Sequence, residues 1–219
     1  MPFVRSDEPM TPAPERWEKL RQEILVCQRC PLAQSRTQAV PGVGPPTALL
    51  VIIGEAPGYK EDVQGEPFVG SAGKLLTKLL EQAGIKRESV FITNVVKCRP
   101  PENRQPTQSE RKSCHPYLIR QLEHIQPKVI ALVGRVPTET LLETRGSMGA
   151  LHGKTFERNG RTFFVMYHPA AGLYNQNLVP VMEEDMRNLK KLLEKTADSG
   201  GQQEKGQLPL SDFFSNQKK

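Results

Sequence analysis

Two short polar loops carry the residues most able to do chemistry in this chain. Gly54-Glu55-Ala56-Pro57-Gly58 follows the apolar segment 48–53, and His168-Pro169-Ala170-Ala171 follows the apolar segment 162–167. Histidine and glutamate side chains can both act as acids or bases. If both apolar segments are parallel strands, their carboxyl ends meet at one edge of the sheet, where α/β proteins bind ligands. We therefore expect the two loops to share a site.

The four cysteines form a second group of reactive side chains. Cys27 and Cys30 are separated by a polar Gln-Arg pair, and Cys98 and Cys114 follow far along the chain. A cytoplasmic chain does not need disulfides, so a Cys-x-x-Cys pair with two distant cysteines predicts a four-thiolate metal site rather than four unrelated thiols. Zinc and a [4Fe–4S] cluster both accept tetrahedral thiolate ligation, and the spacing alone does not choose between them.

The elements that must position these residues alternate strand and helix. Short apolar, β-branched runs predict strands, and amphipathic spacing predicts the helices between them. The predicted fold class is α/β, a three-layer α/β/α sandwich with a central, mainly parallel four-stranded sheet. The strands are predicted at 48–53, 90–96, 128–134 and 162–167, and the helices at 15–26, 71–83, 109–125, 137–143 and 182–195.

Length and charge bound the domain organisation and the partners. A chain of 219 residues can bury one sizeable core, and we predict a single domain over 15–195, an extension over 1–14 and a polar tail over 196–219. The sequence shows no apolar stretch of membrane length and no signal-peptide core, so a cytoplasmic location is expected. The net charge of +6 and the pI near 9.2 permit a polyanionic partner without requiring one.

Together these motifs resemble the family 4 uracil-DNA glycosylases, the iron-sulfur branch of the uracil-DNA glycosylase superfamily. The similarity runs from about Cys27 to Lys195 and rests on five motifs in a fixed order. The resemblance implies a monomeric enzyme that flips uracil out of single- or double-stranded DNA, hydrolyses its N-glycosidic bond and leaves an abasic site in base excision repair. It also implies that a structural [4Fe–4S] cluster is held by Cys27, Cys30, Cys98 and Cys114.

The same resemblance assigns roles to individual residues. Phe68 would stack on the flipped base, the Asn94 amide would read uracil, and His168 would hydrogen-bond uracil O2 as charge develops there. Glu55 and the backbone of Ala56 match the water-positioning motif. The remaining substrate-binding candidates are Gly54, Pro57, Gly58, Glu61 and Leu173, the last at the spacing of a wedge that enters the duplex.

Several assignments leave alternatives open. Glu61 and Asp62 could line the pocket and exclude the methyl group of thymine, or form a solvated acidic turn. The basic candidates for DNA contacts, in no order of preference, are Lys97, Arg99, Arg104 and Lys154, and the histidines interpreted as structural or solvated are His115, His124 and His152. Two other functions are considered. One is a covalently uracil-trapping protein, although that branch carries Gln at the position of Ala56, and the other is a non-catalytic Fe–S or zinc DNA-binding protein.

The tail carries one further motif. Residues 207–214 match the pattern Q-x-x-L-x-x-F-F, by which many repair proteins bind a sliding clamp, and the matching residues are Gln207, Leu210, Phe213 and Phe214. A polar linker would leave the peptide free, so that its leucine and phenylalanines insert as an apolar plug and its glutamine bonds a backbone site. We predict a tether to the replication clamp, and docking of the tail onto the domain is the alternative.

Overall fold

Strands and helices alternate along the described part of the chain. The computed structural model describes residues 13–144, 146–158 and 160–198. The strands in these ranges are β1 (Leu50–Gly54), β2 (Phe91–Asn94), β3 (Val129–Val133), β4 (Thr155–Arg158) and β5 (Arg161–Met166). The α-helices there are α1 (Ala13–Leu25), α2 (Leu32–Ser35), α3 (Tyr59–Gln64), α4 (Ser71–Gln82), α5 (Gln108–Ile125), α6 (Arg135–Leu142), α7 (Met148–Leu151), α8 (Pro169–Tyr174) and α9 (Val179–Asp198). Short 3₁₀ turns cover Arg87–Ser89, Pro101–Asn103 and Gln176–Leu178.

The strands form one sheet in the order β2-β1-β3-β5-β4. The first four of these are mutually parallel, and β4 runs antiparallel to β5. Every residue of β1 and β3 is buried, as expected for parallel strands covered on both faces. The chain direction therefore brings the carboxyl ends of β1, β2, β3 and β5 to one edge, which we call the carboxyl edge of the sheet.

Two hydrophobic clusters cover the two faces of the sheet. Val51 and Ile53 of β1 point into a cluster that contains side chains of α1, α5 and α6. Leu50 and Ile52 point to the other face, where side chains of α4 and α9 pack against them. Successive strand residues face opposite sides, so alternation along β1 divides its apolar residues between the two layers. This arrangement confirms the predicted three-layer α/β/α sandwich.

The sheet has five strands in the described ranges instead of the four predicted from the sequence. The additional strand is β4, which pairs with β5 from Thr155 opposite Phe164 to Arg158 opposite Arg161. None of its residues is buried, because β4 lies at the edge of the sheet. An edge strand needs no continuous apolar run, so the signal that identified the buried strands is missing from this segment.

The helix bounds differ from the prediction by a few residues at several ends. Helix α4 begins at Ser71, but the residue that precedes it, Gly70, occupies the N-cap position, and no side chain caps this helix. Helix α9 begins at Val179 and ends at Asp198, three residues beyond the predicted end of the closing helix.

The clamp-binding peptide 207–214 and most of the 1–14 extension lie outside the described residues. Among the described helices, none combines the length and apolar character that a membrane crossing needs.

Candidate active site

The carboxyl edge of the sheet brings the predicted site residues together. Gly54 at the end of β1 stands opposite Asn94 at the end of β2 in the parallel register. Backbone pairing continues past the strand, since the Val95 amide donates to the Gly54 carbonyl at 2.9 Å. His168 follows β5, and the amide of Gly134, after β3, donates to the Met166 carbonyl at 2.9 Å. Four strand ends therefore form the floor of one site.

Gly54 lies in contact with the two residues expected to hold the base. A Cβ placed on Gly54 would be 2.4 Å from Asn94 Oδ1 and 2.6 Å from Phe68 Cζ. Real Cβ atoms do not approach other atoms so closely, so only glycine fits here. The Phe68 ring stacks beside the His168 imidazole, with centroids 5.7 Å apart and planes inclined by 28°. The structure thus brings Gly54, Phe68, Asn94 and His168 into one cluster.

The loop that carries Phe68 is held in a strained backbone conformation. Phe68 has a left-handed φ of +54° and is 7% exposed, which is a costly conformation for a non-glycine residue. The Arg87 guanidinium donates to the carbonyls of Pro67 and Phe68 at 3.0 and 3.1 Å. Gly73 of α4 passes so close that a Cβ there would be 1.8 Å from the Phe68 carbonyl oxygen. These contacts fix the aromatic ring before any ligand arrives.

Glu61 and Asp62 order the loops around the site. Glu61 Oε1 accepts hydrogen bonds from the backbone amides of Val69 at 2.9 Å and Gly70 at 2.7 Å, directly after Phe68. The Asp62 carboxylate accepts from the amide of Thr37, which is 3.0 Å from both oxygens, and Asp62 is 2% exposed. The interpretation of this pair as a solvated acidic turn is therefore wrong.

His168 is oriented by its own helix. It is the N-cap residue of α8, and its Nδ1 accepts a hydrogen bond from the Ala170 amide at 3.1 Å. In the neutral imidazole the proton then lies on Nε2, which can donate. Burial lowers the pKa of His168 to about 4, against a weaker opposing effect of Glu61. The site therefore holds a neutral histidine at physiological pH with a single donor, Nε2–H.

Sequence reasoning did not identify Gly134 as part of this site. Gly134 has a φ of +97°, and a Cβ there would lie 3.1 Å from the Cβ of His168. Its backbone shape and its lack of a side chain allow the β3 end to pass beside the histidine. The available signal was positional, because a glycine follows β3 as Gly54 closes β1.

Asn94 is 2% exposed, and its Oδ1 lies beside Gly54. Its backbone carbonyl accepts from Lys97 Nζ at 2.8 Å, and the same ammonium donates to Thr93 Oγ1 at 2.6 Å. Lys97 is 1% exposed, and burial lowers its pKa to about 8. Lys97 therefore supports the strand end that carries Asn94. Its burial rules out the contact with a DNA phosphate that the sequence had allowed.

The other loop residues differ in exposure. Glu55 is half-buried, and burial raises the pKa of its carboxyl group while Arg111 acts weakly in the opposite direction. Ala56 packs against the core on one face of the sheet, and Pro57 is buried. Leu173, near the end of α8, is 47% exposed. Of the candidates in and after the two loops, Leu173 is thus the most exposed.

The four cysteines lie around one pocket near α1 and α5. The pocket is lined by Cys27, Cys30, Cys98 and Cys114, together with basic and aromatic side chains of Arg29, Arg36, Lys97 and Tyr117. Arg36 Nη1 donates to Cys98 Sγ at 2.9 Å, and the Lys97 amide donates to Cys114 Sγ at 3.3 Å. Burial raises the pKa of the Cys114 thiol to about 12. No group of three or more His, Cys, Asp or Glu side chains in the described ranges is placed to hold a single metal ion.

Comparison with known proteins shows the family of this chain. The profile of the Uracil DNA glycosylase superfamily matches residues 41–195. A type-4 uracil-DNA glycosylase of Sulfurisphaera tokodaii is 46% identical over 184 residues, which cover 80% of this chain and 84% of the relative. The type-4 uracil-DNA glycosylase of Archaeoglobus fulgidus is 44% identical, and the match covers 81% of this chain and 94% of the relative. That of Thermotoga maritima is 38% identical, and the match covers 83% of this chain and 96% of the relative. The chain therefore belongs to the uracil-DNA glycosylase superfamily and, within it, to the type-4 uracil-DNA glycosylases, enzymes that hydrolyse N-glycosyl bonds.

Proposed function

We propose that this DNA-repair glycosylase flips uracil out of DNA and hydrolyses the N-glycosidic bond, leaving an abasic site without cutting the strand. The observation that carries the proposal is the convergence of Phe68, Asn94 and His168 around Gly54 at the carboxyl edge of the sheet. This cluster offers an aromatic face, an amide and a neutral hydrogen-bond donor. A flipped uracil needs these three groups for stacking, recognition and charge stabilisation.

Base recognition is proposed to depend on Phe68 and Asn94. Stacking of a base on an aromatic ring contributes about 1–3 kcal/mol. The Asn94 amide can donate to uracil O4 and accept from N3–H, whereas cytosine presents the opposite groups at both positions. Each mismatched group would be buried without a partner at a cost of about 1–3 kcal/mol, which excludes cytosine. Glu61 is proposed to contribute indirectly, because its carboxylate binds the backbone of the loop that carries Phe68.

Bond cleavage is proposed to depend on His168. As the bond between sugar and base breaks, negative charge develops on uracil, and the Nε2–H of a neutral histidine can donate to O2. A preorganised neutral donor needs no change of protonation during the reaction. Water is proposed to reach the sugar carbon beside the 54–58 loop, oriented by Glu55 or by the Ala56 backbone. Gly54, Pro57 and Gly58 shape this loop, and Leu173 is proposed as the wedge.

Hydrolysis without strand cleavage is favoured over the two alternatives. Strand cleavage by a glycosylase requires an amine nucleophile. The Lys97 amine, which follows the Asn94 strand, is not available for this role, because it is buried and bound to Thr93 and Asn94. Covalent trapping is not favoured, because the trapping branch carries Gln where this chain has Ala56, and the segment 146–154 around His152 lacks the Lys/Arg-rich insertion of that branch. A non-catalytic DNA-binding function would leave the oriented His168 donor unexplained.

The cysteine pocket is proposed to hold a [4Fe–4S] cluster through Cys27, Cys30, Cys98 and Cys114. The arrangement fits the group, because all four thiols line one pocket and an Arg36 guanidinium and two backbone amides donate to their sulfurs. A single zinc ion would require the sulfurs to lie within about 4 Å of one another, and four iron atoms space their ligands more widely. Such a cluster can carry electrons, but its proposed contribution here is to tie α1 to the segment after β2. Anaerobically purified protein should contain about four iron atoms per chain, and a colourless zinc-loaded protein would contradict the assignment.

The clamp-binding peptide in the tail remains a proposal from the sequence. Residues 207–214 contain the complete Q-x-x-L-x-x-F-F pattern, and a tether would raise the local concentration of the enzyme at newly made DNA. Clamp binding should be lost after truncation at Lys205 and in the Phe213→Ala/Phe214→Ala variant, while uracil release in the absence of clamp stays the same. Equal clamp binding by all three proteins would refute the tether.

The activity is tested with purified protein and oligonucleotides that contain uracil, thymine or cytosine at one position. We expect release of free uracil only, and strand breaks only after alkali treatment. Strand cleavage before alkali would contradict the monofunctional mechanism. A protein–DNA adduct that survives denaturation would identify the trapping alternative, and binding without uracil release would identify the non-catalytic one.

A further inference from the structure

We propose that Tyr59 and Arg99 form a nucleic-acid contact beside the cluster of Phe68, Asn94 and His168 that is proposed to hold the flipped base. In this contact the Tyr59 ring stacks on a nucleobase that flanks the uracil, and the Arg99 guanidinium binds a backbone phosphate. The inference rests on the proposed glycosylase function and identifies one place where the DNA strand is held.

Tyr59 and Arg99 form a pair at the carboxyl edge of the sheet, in which Tyr59 is exposed and Arg99 is half-buried. Tyr59 is the first residue of α3, directly after the 54–58 loop, and it is 62% exposed. Arg99 follows Cys98 in the segment after β2, and its Cζ lies 5.2 Å from the centroid of the Tyr59 ring. An aromatic ring combined with an arginine is the side-chain combination that binds single-stranded nucleic acid.

A hydrogen bond within its own loop orients the Arg99 side chain. Arg99 Nε donates to Asn103 Oδ1 at 2.8 Å, and its Nη atoms make no hydrogen bond within the described residues. Glu102 and Asn103 both adopt left-handed backbone conformations, with φ of +54° and +55°. Consecutive strained non-glycine residues occur mainly at functional sites. The guanidinium is therefore oriented in advance, with its phosphate-binding fork available.

The same segment contains two other basic residues, and the structure assigns them different roles. Lys97 is buried beneath Asn94. Arg104 donates to both carboxylate oxygens of Glu110, at 2.9 and 2.7 Å. Of these three basic residues, Arg99 is the one whose terminal nitrogen atoms remain available to a ligand. Lys97 thus supports the strand end that carries Asn94, and Arg104 stabilises the loop. Arg99 is proposed to contact DNA.

The sheet order places this pair opposite the end of α8. Tyr59 and Arg99 follow β1 and β2, whereas Leu173 and Tyr174 follow β5, which is separated from β1 by β3. Leu173 and Tyr174 are 47% and 91% exposed. A nucleotide flipped out of the duplex needs its strand held on both sides, since unstacking it opposes the pairing and stacking of its neighbours. The Tyr59–Arg99 pair supplies the hold on the side of β2.

Stacking by Tyr59 is tested by combining protein variants with altered DNA. Binding is measured by fluorescence anisotropy on an oligonucleotide with a stable abasic analogue at the uracil position. A spacer without a base then replaces each neighbouring nucleotide in turn, on both sides. Tyr59→Ala should weaken binding by about 5- to 150-fold, and Tyr59→Phe, which keeps the ring, should not. At one neighbouring position the spacer should weaken binding to the wild type but add nothing to Tyr59→Ala.

Phosphate binding by Arg99 is tested through its salt dependence. Arg99→Ala should reduce the slope of log affinity against log salt by roughly 0.7 to 0.9, the value of one phosphate contact. The matched control is Arg187→Ala, which removes an exposed arginine paired with Glu184 on α9, and its slope should equal that of the wild type. Iron content is measured for every variant, because Arg99 adjoins Cys98.

These results separate the contact from the glycosylase function itself. Independent, additive effects of Tyr59→Ala and the spacer at every neighbouring position would overturn the stacking proposal, even if the wild type releases uracil normally. An Arg99→Ala slope equal to that of Arg187→Ala would overturn the phosphate contact. Uracil release by the wild type is measured in a separate oligonucleotide assay. Failure of that release would refute the proposed function instead.

Discussion

Replacing His168 separates its catalytic role from its structural one. The imidazole uses Nδ1 to cap α8 through the Ala170 amide and leaves Nε2–H as its donor. Alanine removes both functions. Asparagine places its Oδ1 where it can replace Nδ1 as the N-cap acceptor, but it does not reach the position of Nε2. His168→Asn is therefore the matched control, and it should lose catalysis while keeping the helix cap.

The expected magnitudes follow from these two contacts. Loss of one preorganised donor to a developing anion costs about 2.7–4 kcal/mol, or roughly 10²- to 10³-fold in rate. Loss of an N-cap costs about 0.5–2 kcal/mol of stability. Both variants should therefore slow uracil release by the same factor. His168→Ala should also unfold at lower denaturant concentration than His168→Asn.

Single-turnover uracil release with enzyme in excess measures the chemical step without product release. Urea unfolding of the same preparations measures the stability difference. A wild-type rate for His168→Asn would refute the assignment of Nε2 as the catalytic donor. Equal stability of the two variants would show that the Nδ1 contact does not cap α8.

Three further predictions concern the same site. Because the pKa of His168 is about 4 in the folded protein and near 6.5 when unfolded, the unfolded chain takes up the proton first. The free energy of unfolding should therefore fall as the pH drops from 6.5 towards 4, by at most about 3 kcal/mol from this group. Urea titrations at pH 6.5 and pH 4 measure this fall, which should be smaller for His168→Asn than for the wild type. Gly54→Ala should abolish most uracil release, because its methyl group would lie 2.4 Å from Asn94 Oδ1. The control variant Gly149→Ala should react at the wild-type rate, because its methyl group would make only an ordinary 3.5 Å contact with Tyr167. Asn94→Asp replaces a donor by an acceptor, so uracil release should fall and cytosine release should become measurable in the oligonucleotide assay, and an unchanged uracil rate would exclude Asn94 as the reader.

Local patterns were sufficient to predict the central part of the fold. The buried strands β1, β2, β3 and β5 each carry a short run of apolar residues, and such runs are visible without knowledge of their partners. The edge strand β4 was missed, because a strand with no buried residue has no such run. The predicted helix ends are also off by a few residues, because the apolar spacing inside a helix does not fix its first residue. Helix α9 begins at Val179 instead of residue 182.

The site shows the same division. The candidate residues Phe68, Asn94 and His168 were predicted from motifs whose residues lie close together in sequence. The four cysteines were selected by residue type and by one Cys-x-x-Cys pair, although Cys98 and Cys114 lie far along the chain. The partners of the charged side chains were not apparent. The contact of Glu61 with the Val69 and Gly70 amides depends on how the chain folds back.

The sequence by itself determined the four buried strands and the longer helices, the family to which the chain belongs and the residue types that follow the strand ends. Tertiary structure alone decided that Lys97 is buried beneath Asn94, that Gly134 passes beside His168, and that Arg99 lies over Tyr59. The physical reason is that hydrophobic periodicity is a property of neighbouring residues along the chain. Burial of a charge, close approach of a backbone and pairing of two side chains are set by distances between segments, which the sequence does not state.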